Sequence, residues 1–189
     1  MSHLKMAKSS SAEAARSGLE DIPLVEYKGV TIRHGSCRIY FTRHAQSWAN
    51  VGHQTIDSSL SREGEKQAAQ LEGHFNLILC SPLRRTVETL HHSQLSYDEL
   101  RIIPELREVR HAISDCLPLE YRPSKGEFVK ESDAELRLRC RIFHSILEHA
   151  CHQRPGQSIL IIGHAYYFNS WYRQRADVPP KNATIIRLL

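Results

Sequence analysis

The sequence predicts an α/β domain built as a three-layer α/β/α sandwich around a mostly parallel central sheet. Two observations lead there. Short apolar runs, RIYFT (38–42), FNLILC (75–80) and SILIIG (158–163), have the length and composition of strands buried on both faces. Between them lie segments whose apolar residues recur at helical spacing, and strands that alternate with helices pair in parallel with helices on both faces.

Taken in order, residues 1–22 read as a flexible tail and 23–189 as a single domain. LVEYKGVTI (24–32) suits a hairpin turning at Lys28-Gly29, and RIYFT follows as the first buried strand. LSREGEKQAAQLEGHF (60–75) predicts a helix capped by Ser61, with Ala68, Leu71 and Phe75 on one face. After FNLILC, SPLRRTVETLHH predicts a helix with Pro82 in its first turn and a stripe of Leu83, Val87 and Leu90. LRIIP (100–104) is a third, weaker strand. Residues 109–131 have no clear element and form a short cap loop, a length of irregular chain that is often functional. SDAELRLRCRIFHSILEHACHQ (132–153) is the plainest helix, with Leu136, Cys140, Phe143, Leu147 and Ala150 on one face and Pro155-Gly156 to stop it. SILIIG, a helix through Trp171 to Gln174, and a closing strand ATIIRLL (183–189) complete the chain.

The 189 residues suit one domain. A net charge of +4 with 12 histidines favours anionic partners in general, although charge alone requires no more than a solvated basic surface. The five cysteines are scattered without a CxxC, which disfavours a zinc ribbon or a thioredoxin-like site and fits a reducing compartment. Cys80 and Cys140 are expected to be buried thiols. No apolar run approaches membrane-spanning length, and the N-terminus lacks the apolar segment of a secretory signal. The expectation is a cytoplasmic protein with no membrane partner. No aromatic pair, loop or helix of a nucleic-acid-binding module is apparent, so no nucleic-acid partner is expected.

The chemistry gathers where strands end. IYFT runs into Arg43-His44, LILC into Ser81-Pro82 with Arg84 and Arg85 one turn on, and ILIIG into His164. In open α/β sheets ligands bind at that edge. Each motif alone has a bland reading as a solvated strand end or helix face; the three together do not. Two histidines among arginines could hold a metal, but adjacent arginines repel a cation and no HxH or HxxxH spacing occurs. A phosphoryl group fits better. Guanidinium forks match its oxygens, one neutral imidazole can attack phosphorus, and the second can donate to an equatorial oxygen. Spacing alone leaves Arg84 and Arg85 undecided.

The motifs RHAQSWAN (43–50), DSSLSREGEKQA (57–68), SPLRRT (81–86), ELREV (105–109) and the histidine after SILIIG occur in an order that resembles the histidine phosphatase superfamily, also called phosphoglycerate-mutase-like. The resemblance covers about residues 38–189. It implies His44 as the nucleophile, with Arg43, Arg85 and His164 gripping the phosphoryl group. Glu108 would be the general acid and then the base. Arg85 is chosen over Arg84 because the motif's arginine is the last of S-P-L-x-R. Ser47, Asn50, Ala165 and Arg110 complete the expected substrate-binding set. No cofactor or metal is implied, and the activity would be that of a histidine acid phosphatase-type phosphoric monoester hydrolase. Its substrate would be a phosphorylated small molecule or a phosphoprotein. A mutase-type phosphotransferase and a catalytically weak phospho-ligand-binding module are the alternatives. The segment after Glu108, EVRHAISDCLPLEYRP, departs from the W-E-G-like segment of many members, so the substrate pocket is expected to differ. It offers Asp115 as a second candidate acid, and its Arg110 and His111 could either meet a substrate's anionic part or face solvent. The short cap points to a phosphatase with an open site.

Overall fold

The computed structural model describes residues 37–118, 129–173 and 180–188. The expected tail and the hairpin at 24–32 lie outside the described residues, as does most of the cap loop's second half.

Strand β1 (Arg38–Arg43) pairs in parallel with β4 (Ser158–Gly163), and β4 pairs in parallel with β2 (Glu72–Cys80). Beyond β2 lies β3 (Gln94–Ile102), again parallel, and the closing strand β5 (Ile185–Arg187) runs antiparallel beside β1. The order is β3-β2-β4-β1-β5. Every residue of β4 is buried, as expected of a central strand covered on both faces.

The two-residue period of the strands divides the core into two clusters. On one face Ile39, Phe41, Leu77, Leu79, Ile159 and Ile161 pack against Phe143, Leu147 and Ala150 of helix α3 (Asp133–His152) and against Phe168 of α4 (Ala165–Phe168). On the other, Tyr40, Phe75, Ile78, Leu160 and Ile162 meet Leu90 of α2 (Arg84–His92). The predicted α/β/α layering is therefore present. Helix α3 begins at a reciprocal cap between Ser132 and Glu135 and buries the predicted face, with Leu136 and Cys140 only partly covered at its edge. Cys140 is half-buried rather than buried; burial still raises its thiol pKa.

Several boundaries differ from expectation. Helix α1 (Arg62–Ala68) is capped by Ser61, whose hydroxyl accepts from the Gly64 N–H at 3.1 Å, but it ends well before 75. Gly73, at φ +129°, already lies in β2, so the apparent stripe of Ala68, Leu71 and Phe75 is a helix end followed by a strand. Its outer members belong to different clusters, Ala68 beside Ala45 and Leu60, Phe75 in the sheet core. Helix α2 starts at Arg84, so Pro82 precedes it; Val87 is exposed, and the inward face carries Arg85, Thr86 and Thr89 instead. The third strand starts six residues earlier than LRIIP because the polar residues of an edge strand give no apolar run. The helix after His164 is one turn of α-helix continued as a π-helical stretch, Asn169–Arg173.

Candidate active site

The register brings three strand ends to one level. Arg43 pairs with Gly163 and Cys80 with Ile162. The next residues continue the ladder: the His44 N–H donates to the Gly163 carbonyl and the Ser81 N–H to that of Ile162, both at 3.0 Å. His44, Ser81 and His164 thus leave the sheet side by side. The imidazoles of His44 and His164 face each other with centroids 5.2 Å apart.

His44 Nδ1 lies 2.7 Å from the Ala45 carbonyl oxygen. A carbonyl only accepts, so the ring hydrogen sits on Nδ1 and Nε2 keeps its lone pair. Burial, followed by the nearby charges of Arg85 and Arg43, holds the His44 pKa well below the usual imidazole value. The ring is therefore neutral and nucleophilic over a wide pH range. Its backbone is clamped on both sides: the Ala45 N–H donates to Thr89 Oγ1 at 2.9 Å, and Asn182 Nδ2 donates to the His44 carbonyl at 2.7 Å.

His164 is fully buried and likewise held neutral, first by burial and then by Arg85. Its Nε2 is 2.7 Å from Ser81 Oγ, while Nδ1 is buried with no hydrogen-bond partner among the described residues.

Arg85 is almost wholly buried on the inward face of α2. It donates through Nη1 to the Ser114 carbonyl at 2.6 Å and through Nη2 to Asp115 Oδ1 at 2.9 Å. Asp115 Oδ2 accepts the N–H groups of His111 and Ala112. Asp115, the second candidate acid, is thus engaged as the anchor that ties the segment 111–115 to Arg85. Arg84 turns outward to Glu88. Arg43 is partly buried, with Nε lacking a partner among the described residues.

Glu108 is buried. Its Oε1 accepts from the N–H of Val109 at 2.9 Å and of Tyr167 at 2.8 Å, and Oε2 from that of Tyr166 at 3.2 Å. Burial nevertheless outweighs these donors and raises its pKa, favouring the protonated acid. A cavity of about 380 Å³ is lined by Arg43, His44, Asn50, Arg85, Glu108 and Tyr166, among others. The arrangement joins a neutral imidazole, two guanidinium groups and a buried carboxyl group, which suits phosphoryl chemistry. Among the described residues no three His, Cys, Asp or Glu side chains gather as a metal site.

A model of the histidine phosphatase superfamily (branch 1) matches residues 39–188. The chain belongs to the histidine phosphatase superfamily. A Schizosaccharomyces pombe protein named "Probable phosphatase" is 31% identical over 128 residues, 62% of this chain and 54% of that protein. This superfamily member thus spans about half the length of that curated relative. Phosphoglycerate mutase of Bacillus anthracis superposes with a TM-score of 0.58 at 15% identity, covering 84% of this chain and 89% of that one. The α-ribazole phosphatase of Shigella flexneri gives 0.54 at 19% identity, covering 80% and 94%. At such identities these likenesses establish the phosphoglycerate-mutase-like fold.

The remaining expected residues divide. Asn50 lines the cavity, and its Oδ1 accepts the Ser47 N–H at 2.9 Å and the Ser47 hydroxyl at 3.2 Å. Ser47 therefore orients Asn50 and leaves the Asn50 NH₂ as the donor. Ala165 opens α4 and Arg110 approaches the start of α3, where its carbonyl accepts from Glu131; neither is among the residues that line the cavity. His164 also stands outside the lining, behind its contact with His44. Sequence reasoning missed Tyr166, Gln54 and Ser114, which do line it. The Tyr166 ring meets that of His111 edge-on at 5.2 Å. Tyr166 sits two residues after His164, in the first turn of the following helix, and that placement is the signal that could have found it. No helix among the described residues is long and apolar enough to cross a membrane.

Proposed function

We propose that this superfamily member is a metal-independent phosphomonoesterase of the acid phosphatase type, acting through a phosphohistidine on His44. One observation carries the reading: a buried, neutral His44 whose Nδ1 hydrogen is committed to Ala45, beside Arg43 and Arg85 in the same cavity as a buried Glu108 whose pKa is raised by burial.

The Nε2 lone pair of His44 attacks phosphorus as the ester P–O bond breaks, and Glu108 gives its proton to the departing alkoxide. Arg43 and Arg85 balance the charge on the equatorial oxygens. Ser81 Oγ and His164 Nε2 are 2.7 Å apart; in this reading the hydroxyl is the donor, the ring hydrogen of His164 sits on Nδ1, and the ring supports the phosphoryl site from behind His44. The Asn50 NH₂ adds a donor. In the second half, the Glu108 carboxylate takes a proton from water, whose oxygen attacks the phosphohistidine. The N–P bond breaks and phosphate leaves. The substrate is a phosphorylated small molecule or phosphoprotein, and the free cysteines Cys37, Cys80, Cys116, Cys140 and Cys151 suit a reducing, cytoplasmic setting.

The test is to mix the protein with an aryl phosphate, quench in base and map the adduct. A phosphate on His44 that is lost on acidification, absent in His44→Ala, is expected. Label on a serine or cysteine, or chelator-sensitive turnover, would overturn the reading. Stoichiometric release of inorganic phosphate separates hydrolysis from mutase-type transfer.

A further inference from the structure

We propose that Arg139, outside the cavity, is a positioning residue that sets the Glu108 carboxyl for proton transfer. This rests on the reading of Glu108 as the general acid.

Arg139 lies on α3, 31 residues beyond Glu108 in the chain, and is nearly buried. Its Nη1 donates to the carbonyls of Glu105 at 2.7 Å and Arg107 at 2.6 Å, which bracket the approach to Glu108. Its Cζ sits 4.6 Å above the centroid of the Tyr167 ring. The backbone N–H of that same Tyr167 holds Glu108 Oε1 at 2.8 Å. One guanidinium group therefore grips both the chain that delivers the carboxyl and the helical turn that receives it. The other edge of the fork is fixed by Glu131, with Nε to Oε1 at 2.8 Å and Nη2 to Oε2 at 2.6 Å. All three guanidinium nitrogens are engaged, so the fork has one orientation.

A buried ion pair adds little net stability compared with an apolar pair of the same volume. This one stands where it determines a geometry. Lysine, with a compact ammonium group, cannot span two carbonyls and a carboxylate at once. An acid displaced by about 1 Å loses on the order of 10²-fold in rate. The loss falls on the step that needs its proton, and nitrophenolate departs with little protonation.

The test compares kcat/KM for an alkyl phosphate and for nitrophenyl phosphate in the wild type, Arg139→Lys and the double variant Arg139→Met/Glu131→Gln. The double variant removes both charges and so leaves none buried without a partner. The expected result is a fall of about 10- to 100-fold on the alkyl ester with a change under about threefold on the nitrophenyl ester. The alkaline limb of the pH profile shifts with it, and Arg139→Lys falls between. Equal losses on both esters, or none, in a variant with a normal unfolding transition would overturn the proposal. If the double variant does not fold, Arg139→Lys decides by the same ratio. Failure of the wild type to turn over either ester would count against the phosphatase reading instead.

Discussion

The rings of His44 and His164 lie 5.2 Å apart and tilted by 55°, both stripped of solvent. Their folded-state pKa values are lowered well below 6.5, so between those values and 6.5 the unfolded chain binds more protons. Stability from this source is complete above pH 6.5 and is lost as pH falls below it. Glu108, with a raised pKa, works in the opposite sense, favouring the fold at low pH and losing that contribution as pH rises through its folded pKa. Urea unfolding across pH 5–7 is expected to show stability rising with pH, and His164→Asn should flatten the slope. An unchanged slope would mean that His164 does not titrate as its burial implies.

Activity should carry the same two groups as opposing limbs. The nucleophile must be neutral, so kcat/KM rises as pH passes up through the lowered His44 value. The acid must be protonated, so it falls as pH passes through the raised Glu108 value. For alkyl phosphates, Glu108→Gln is expected to lose about 10²–10⁴-fold and the alkaline limb with it. A limb that survives in this variant belongs to another group.

Asp115 binds Arg85 directly, and the charge-assisted bond is worth about 1.5–3 kcal/mol. Asp115→Asn keeps the shape and removes the anion. KM for any phosphate ester should rise about tenfold, with equal effects on good and poor leaving groups. A loss confined to poor leaving groups would return Asp115 to the role of acid.

Gly64 faces the loop after His44 so closely that a Cβ there would lie 1.9 Å from the Gln46 carbonyl oxygen. Backbone cannot yield as a side-chain end can. Gly64→Ala is therefore expected to cost about 1–3 kcal/mol, seen as a lower thermal midpoint, and to reduce turnover by shifting His44 and Asn50. A variant with unchanged midpoint and rate would show that α1 can move away freely.

The strand ends were legible because central strands of a parallel sheet are apolar throughout and stop abruptly at Arg43, Cys80 and Gly163. That pattern and the motif order singled out His44, Glu108 and His164, and the packed structure holds all three buried at this end of the sheet. Strand β3 was half missed because an edge strand needs no apolar run. The place of Asp115 depends on a contact across 30 residues to Arg85, which no local spacing records. Helix α3 carries Arg137, Arg139 and Arg141 within LRLRCR, and only the packed structure shows that the middle one turns inward. The complete burial of His164, in contact with Ser81, follows from β4 being covered on both sides.

Because β1 and β4 are neighbours in one hydrogen-bonded ladder, the gap between the two imidazoles is close to the interstrand distance of about 4.8 Å. The spacing of the two rings is thus inherited from main-chain geometry. Surface segments could be exchanged to admit a different alcohol without resetting it, which makes this edge of the sheet a natural chassis for engineering new ester selectivity.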